Sequence, residues 1–140
     1  MKRYKIFLFF IVIILLGCDR FYSHISIDNT SDKQIYTIIA YEDGSFSGRR
    51  FSPHMGYGFS TENSVHGPAA IYIYVYEHDI PINLFGDTDA LKKYVKENKA
   101  ISEYSLKELC TQEEEYGKNN KPRVKYVIKD YKIQRIPIKN

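Results

Sequence analysis

The chain has 140 residues, enough for one domain with a single core, and it carries 13 tyrosines and no tryptophan. Its formal charge is +3, and Lys2, Arg3 and Lys5 account for all of it; the rest balances at 17 basic against 17 acidic side chains. A body with no net charge lacks the counterion-release drive that carries proteins to nucleic acid, so that class of partner is excluded.

After its basic start the chain runs apolar without a break from Ile6 to Leu16. As a helix this run reaches about 16 Å, against about 30 Å of bilayer hydrocarbon and about 20 residues for a span. It therefore reads as the core of an export signal. Leu15-Leu16-Gly17-Cys18 closes it. These four residues resemble the lipobox of bacterial lipoproteins. The resemblance implies cleavage before Cys18, a diacylglycerol on its sulfur and a further acyl chain, of the palmitate kind, on its amine. Residues 1–17 are then a removed signal, 18–23 a lipidated tether and 24–140 a single β-rich domain. The membrane becomes a partner through Cys18, and the location is the bacterial cell envelope. Asp19 stands alone before Arg20 and Phe21, without an acidic run, which favours a protein facing the periplasm. With Cys18 acylated, Cys110 is the only thiol left and no internal disulfide can form.

His24 to Asp28 alternates, with Ile25 and Ile27 on one face, and predicts a half-buried strand. Asn29-Thr30-Ser31-Asp32 is turn chemistry. It also matches an N-glycosylation signal in form, which carries no weight in a bacterial exported protein. Gln34 to Tyr41 is apolar on both faces and predicts an inner strand. The two strands read as a hairpin, with Glu42-Asp43-Gly44 closing the second. Residues 43–68 are irregular, and a structureless loop of that length is uncommon, so short strands are expected near Arg50–Ser52 and Tyr57–Thr61.

Ala70 to Glu77 is the clearest strand, with Ile71, Ile73 and Val75 on one face and Tyr72, Tyr74 and Tyr76 on the other. Gly86 to Asn98 predicts a helix capped by Asp87, with Leu91, Tyr94 and Val95 on its apolar side. Ala100 to Glu103 reads as a brief extended link. Ser105 and Glu108 have the spacing of a capping box and predict a second helix carrying Leu106, Leu109 and Cys110 on one face. Arg123 to Lys129 alternates again, and Tyr131 to Ile138 predicts a last strand that Pro137 marks as an edge.

The candidate ligand-binding residues form two groups. Tyr72, Tyr74 and Tyr76 would stack on sugar rings if exposed, and would be core if a helix covers them. Arg49, Arg50, His54 and His66, with Tyr57 beside them, could gather an anion or other ligand in the 43–68 segment, or simply face solvent. His24, His54, His66 and His78 lack the close spacing of zinc sites, so no metal and no cofactor is expected. Glu77, His78 and Asp79 are neighbours and do not assemble a relay on a strand. No catalytic residue is assigned. Cys110 sits on an apolar helix stripe and reads as structural. An acidic run ending in Glu113-Glu114-Glu115 precedes a basic stretch, Lys118 to Lys139.

With the lipobox, the opening Ile25 to Tyr36 resembles small Bacteroidetes-type lipoproteins of unknown function. So do the strand Ile71–Tyr76, the helix after it, and Ile101 to Tyr104 leading into Ser105 to Leu109. In place of their frequent Arg-Tyr pair before the last helix, this chain has Glu103-Tyr104. The fold class expected is α+β, mainly β: an antiparallel sheet or β-sandwich, immunoglobulin-like among the options, with two short helices packed on one side. The function expected is a membrane-anchored, non-enzymatic module for an envelope protein or other envelope component. The alternatives are a glycan-binding lipoprotein and an envelope enzyme.

Overall fold

The structure, a computed structural model, describes residues 24–61, 63, 67–109 and 124–138. The signal, Cys18, His66, Cys110 and the acidic run at 113–115 lie outside the described residues. The protein is mainly β. Strands β1 (His24–Asn29), β4 (Gly56–Ser60), β7 (Val124–Lys129) and β8 (Lys132–Pro137) form one sheet in the order β4-β1-β7-β8. Strands β2 (Ile35–Tyr41), β3 (Phe46–Phe51), β5 (Ala70–Tyr76) and β6 (Ser102–Ser105) form another in the order β3-β2-β5-β6. Every pairing is antiparallel except β1 with β7.

The alternation in the sequence becomes the inner faces of a sandwich. Ile25, Ile27, Tyr126 and Ile128 from one sheet share a single buried cluster with Ile35, Ile39, Phe51, Ile73 and Val75 from the other. Burying one such aliphatic or aromatic side chain is worth about 1.5–3 kcal/mol, so this layer is the main source of stability. The two sheets are also tied along one side. The Tyr104 hydroxyl accepts from the Ile133 N–H at 3.1 Å, and the Ser102 hydroxyl donates to the Tyr131 carbonyl.

Three expectations need correction. β1 and β2 do not form a hairpin. The turn at Asn29 carries the chain from one sheet to the other, and β2 pairs instead with β3 through the 42–45 turn. The irregular segment holds two full strands, β3 starting four residues before the expected Arg50 and β4 one before Tyr57. Gly48 lies within β3 for a packing reason: a Cβ there would sit 2.5 Å from the Phe85 ring. Two helices do not pack on one side. The one full helix, α1 (Thr88–Glu97), is capped by Asp87, whose carboxylate accepts from the Ala90 N–H at 3.0 Å. It covers the outer face of the second sheet, burying Leu91 against Ile38 and Tyr76. The other, α2, spans only Leu106–Leu109 among the described residues, and Leu106 points into the core between the sheets. Ser105, expected as its cap, ends strand β6.

The strand directions define two poles. β1 enters at His24, level with Ser60, and ends at Asn29, level with Ile128. The far pole is therefore made by the turn after Asn29, the 52–55 loop and the Asp130-Tyr131 turn. Asn29 knots this pole. It is fully buried, and its amide donates to the carbonyls of Lys33 at 2.7 Å, Phe51 at 3.1 Å and Ser52 at 3.2 Å. Its side-chain oxygen accepts from the Ser31 N–H and hydroxyl at 3.0 and 2.7 Å. The formal glycosylation signal thus starts at a residue with no surface.

Candidate functional site

The tyrosine face of β5 is neither wholly exposed nor wholly covered. α1 lies over one end of it. Tyr76, at 1 % exposure, packs edge-on against Tyr94 of the helix with ring centroids 5.5 Å apart. His78 closes that corner, its Nε2 3.0 Å from the Tyr94 hydroxyl. Tyr74 is half-buried, and Tyr72 is 43 % exposed beyond the helix. Tyr72 and Tyr74 stack on each other at 6.3 Å and 27°. Across the sheet Tyr72 stands level with Ala40 and Ser105, and Tyr74 with Ile38 and Glu103. A groove of about 640 Å³ runs from Tyr74 between the C-terminal end of α1 and strand β6, with Lys96, Lys99 and Glu103 on its walls. So of the stripe proposed from sequence, Tyr76 is core, Tyr74 is half-buried and Tyr72 is surface.

Burial raises the phenol pKa of Tyr76, Tyr74 and Tyr94 above the ordinary tyrosine value of 10.0; nearby Tyr94 adds to it at Tyr76, and Glu103 at Tyr74. Folding therefore favours the neutral phenols. Their contribution is whole below pH 10 and is lost as pH rises above it, because the unfolded chain ionises first. The thermal midpoint should fall above pH 10, and it should fall less steeply in Tyr76→Phe. Equal alkaline slopes in a thermal scan would contradict the burial of Tyr76.

The described members of the second group are spread over β3, the 52–55 loop and β4. Arg50 is exposed on β3, level with Tyr36. Arg49 donates to the Gly48 carbonyl at 3.2 Å. His54 sits in the left-handed region at φ 57° and pairs with Asp32, Nε2 to Oδ1, at 3.0 Å. Tyr57 is 38 % exposed at the rim and packs edge-on against Phe51 at 5.0 Å. His66 lies outside the described residues. Arg49 and His54 are engaged with different parts of the fold, and Arg50 is exposed. Among the described residues no three His, Cys, Asp or Glu side chains lie close enough to hold a metal ion, and no helix is long and apolar enough to cross a membrane. Sequence reading missed the His54–Asp32 pair. Its members are 22 residues apart, and only the tertiary path of the 52–55 loop brings them together.

Compared with protein-family models, with curated proteins and with solved structures, the chain finds no match.

Proposed function

We propose that this protein is a lipid-anchored, non-enzymatic binding module of the bacterial envelope, held by Cys18 and facing the periplasm, that meets an envelope partner through its uncovered tyrosines. One observation carries the reading: the helix that buries Tyr76 leaves Tyr74 half-buried and Tyr72 exposed, so that a stacked aromatic pair lies at the edge of its cover. Exposed aromatic anchors are the residues that dominate binding energy at interfaces. The lipobox supports the anchor. Two four-stranded sheets face to face support a sandwich, although the first runs β4-β1-β7-β8 where antibody domains run A-B-E-D.

The same exposed ring favours a second reading, glycan binding by stacking on Tyr72, with Ser105 and Glu103 placed to meet hydroxyls. The test is capture of envelope material by the full-length lipoprotein in detergent. A Tyr72→Ser, Tyr74→Ser double variant should lose capture by about tenfold or more, which matches the 1–3 kcal/mol of an aromatic anchor. Unchanged capture by a folded double variant would remove the tyrosine face from the account. Digestion of the captured material with glycosidase or protease then separates the two readings.

A further inference from the structure

A second feature lies at the far pole, away from the tyrosine face. A cavity of about 450 Å³ opens there between the Asn29 turn and the β7–β8 turn. That is within the range of about 300–1,000 Å³ typical of small-molecule sites. Its apolar part is Ile35, which is buried, and Tyr131, which is half-buried. Its polar part is Thr30 and Ser31 with the charged Asp32, Lys33, Lys129 and Asp130. Lys33, Lys129 and Asp130 have no ion pair with another described residue, and the Tyr131 hydroxyl makes no hydrogen bond to one.

The backbone here takes uncommon conformations. The non-glycine residues with positive φ among those described are His54, Asp130 and Tyr131, at 57°, 51° and 60°, and all three belong to this pole. Asp130 and Tyr131 are the two central residues of the β7–β8 hairpin, and positive φ at both is what a tight two-residue turn of this kind requires. Side-chain bonds brace the pole. The Ser102 hydroxyl holds the Tyr131 carbonyl, His54 holds Asp32, and the Asn29 amide fixes the turn between them. The backbone that frames the cavity is thus braced before any ligand arrives, while the exposed side chains of Lys33, Lys129 and Asp130 would order on binding.

We propose that this cavity binds a neutral sugar unit. Two lysines donate and two carboxylates accept, and a vicinal diol both donates and accepts, so it needs both kinds of partner. The four side chains carry no net charge, which selects an uncharged ligand. The half-buried Tyr131 ring offers an apolar surface to the C–H face of a pyranose, with Ile35 forming the floor beneath. The placement at the membrane-distal end rests on the Cys18 anchor proposed above; the cavity and its chemistry do not.

The test uses the full-length lipidated protein in detergent micelles and saturation-transfer NMR with glucose, galactose, N-acetylglucosamine and maltose, beside glucuronate and glucosamine as charged controls. At least one neutral sugar should show transfer. Lys129→Ala and Asp130→Asn, both at exposed positions and the second keeping the turn, should each reduce that transfer at least fivefold, while Tyr72→Ser leaves it unchanged. A Cys18→Ala protein should bind the same sugar, so that loss of the anchor and loss of this site read out separately. Transfer from none of the neutral sugars would overturn the proposal. So would transfer that survives both pole variants, transfer from the charged sugars alone, or transfer abolished by Tyr72→Ser, which would return sugar binding to the tyrosine face.

Discussion

A Cys18→Ala variant should lose its fatty acid label and its hold on the bilayer if the proposed anchor is right. The size of the effect follows from the chemistry of the anchor. One acyl chain gives only marginal binding, with an association constant of about 10⁴ M⁻¹, while two or three hold a protein stably. Cys18 is the only residue near the N terminus whose side chain can take a thioether lipid, so its loss removes every chain at once. The apolar run from Ile6 to Leu16 does not substitute, because about 16 Å of helix cannot bridge about 30 Å of hydrocarbon. Fractionation of cells grown with a labelled fatty acid should show the variant unlabelled and outside the membrane pellet. A variant that keeps both the label and the pellet would defeat the anchor.

Asn29→Asp should be among the most destabilising single-atom changes available in the described fold. The side chain keeps its shape but exchanges two N–H donors, shared among three acceptors, for a carboxylate facing the carbonyls of Lys33, Phe51 and Ser52. A buried polar group left without its partner costs about 1–3 kcal/mol, and a buried charge more. Some of these carbonyls reach water, so the sum is discounted to about 3 kcal/mol or more, a large part of the 5–15 kcal/mol that folds a domain. In urea unfolding this is a midpoint shift of about 1 M or more at an ordinary slope. Asn29→Ala should lose about as much. A shift worth less than about 1 kcal/mol in both variants would mean the far pole is not held by this residue.

Local pattern was readable wherever one face of a strand is buried. The alternation of Ile25 and Ile27, of Ile73 and Val75, and of Tyr126 and Ile128 gave both the strands and their inner faces, and all six residues are in the core. Asp87 as a cap was equally local, since the bond it makes is to Ala90. Pairing was not readable. β1 and β7 lie side by side in parallel although most of the chain separates them, and no residue in either announces the other. β3 was obscured because its inward and outward positions mix Ser47, Arg49 and Gly48 with Phe51, and Gly48 is there for the Phe85 ring rather than for the strand. The fate of the tyrosine stripe was half legible. Period two puts Tyr72, Tyr74 and Tyr76 on one face, but how far a helix of about 15 Å extends along that face is decided by packing. The far-pole cavity was out of reach, since Lys33 and Lys129 meet only once the sandwich closes.

The account rests on a processed, acylated N terminus carrying a tyrosine-faced sandwich. The most direct measurement is the mass of the N-terminal proteolytic peptide of the mature protein, purified from its own cells. The account predicts a peptide that begins at Cys18 and carries the added mass of a diacylglyceryl group. An unmodified peptide that begins at Met1, or one cut elsewhere with a free thiol at Cys18, would contradict it.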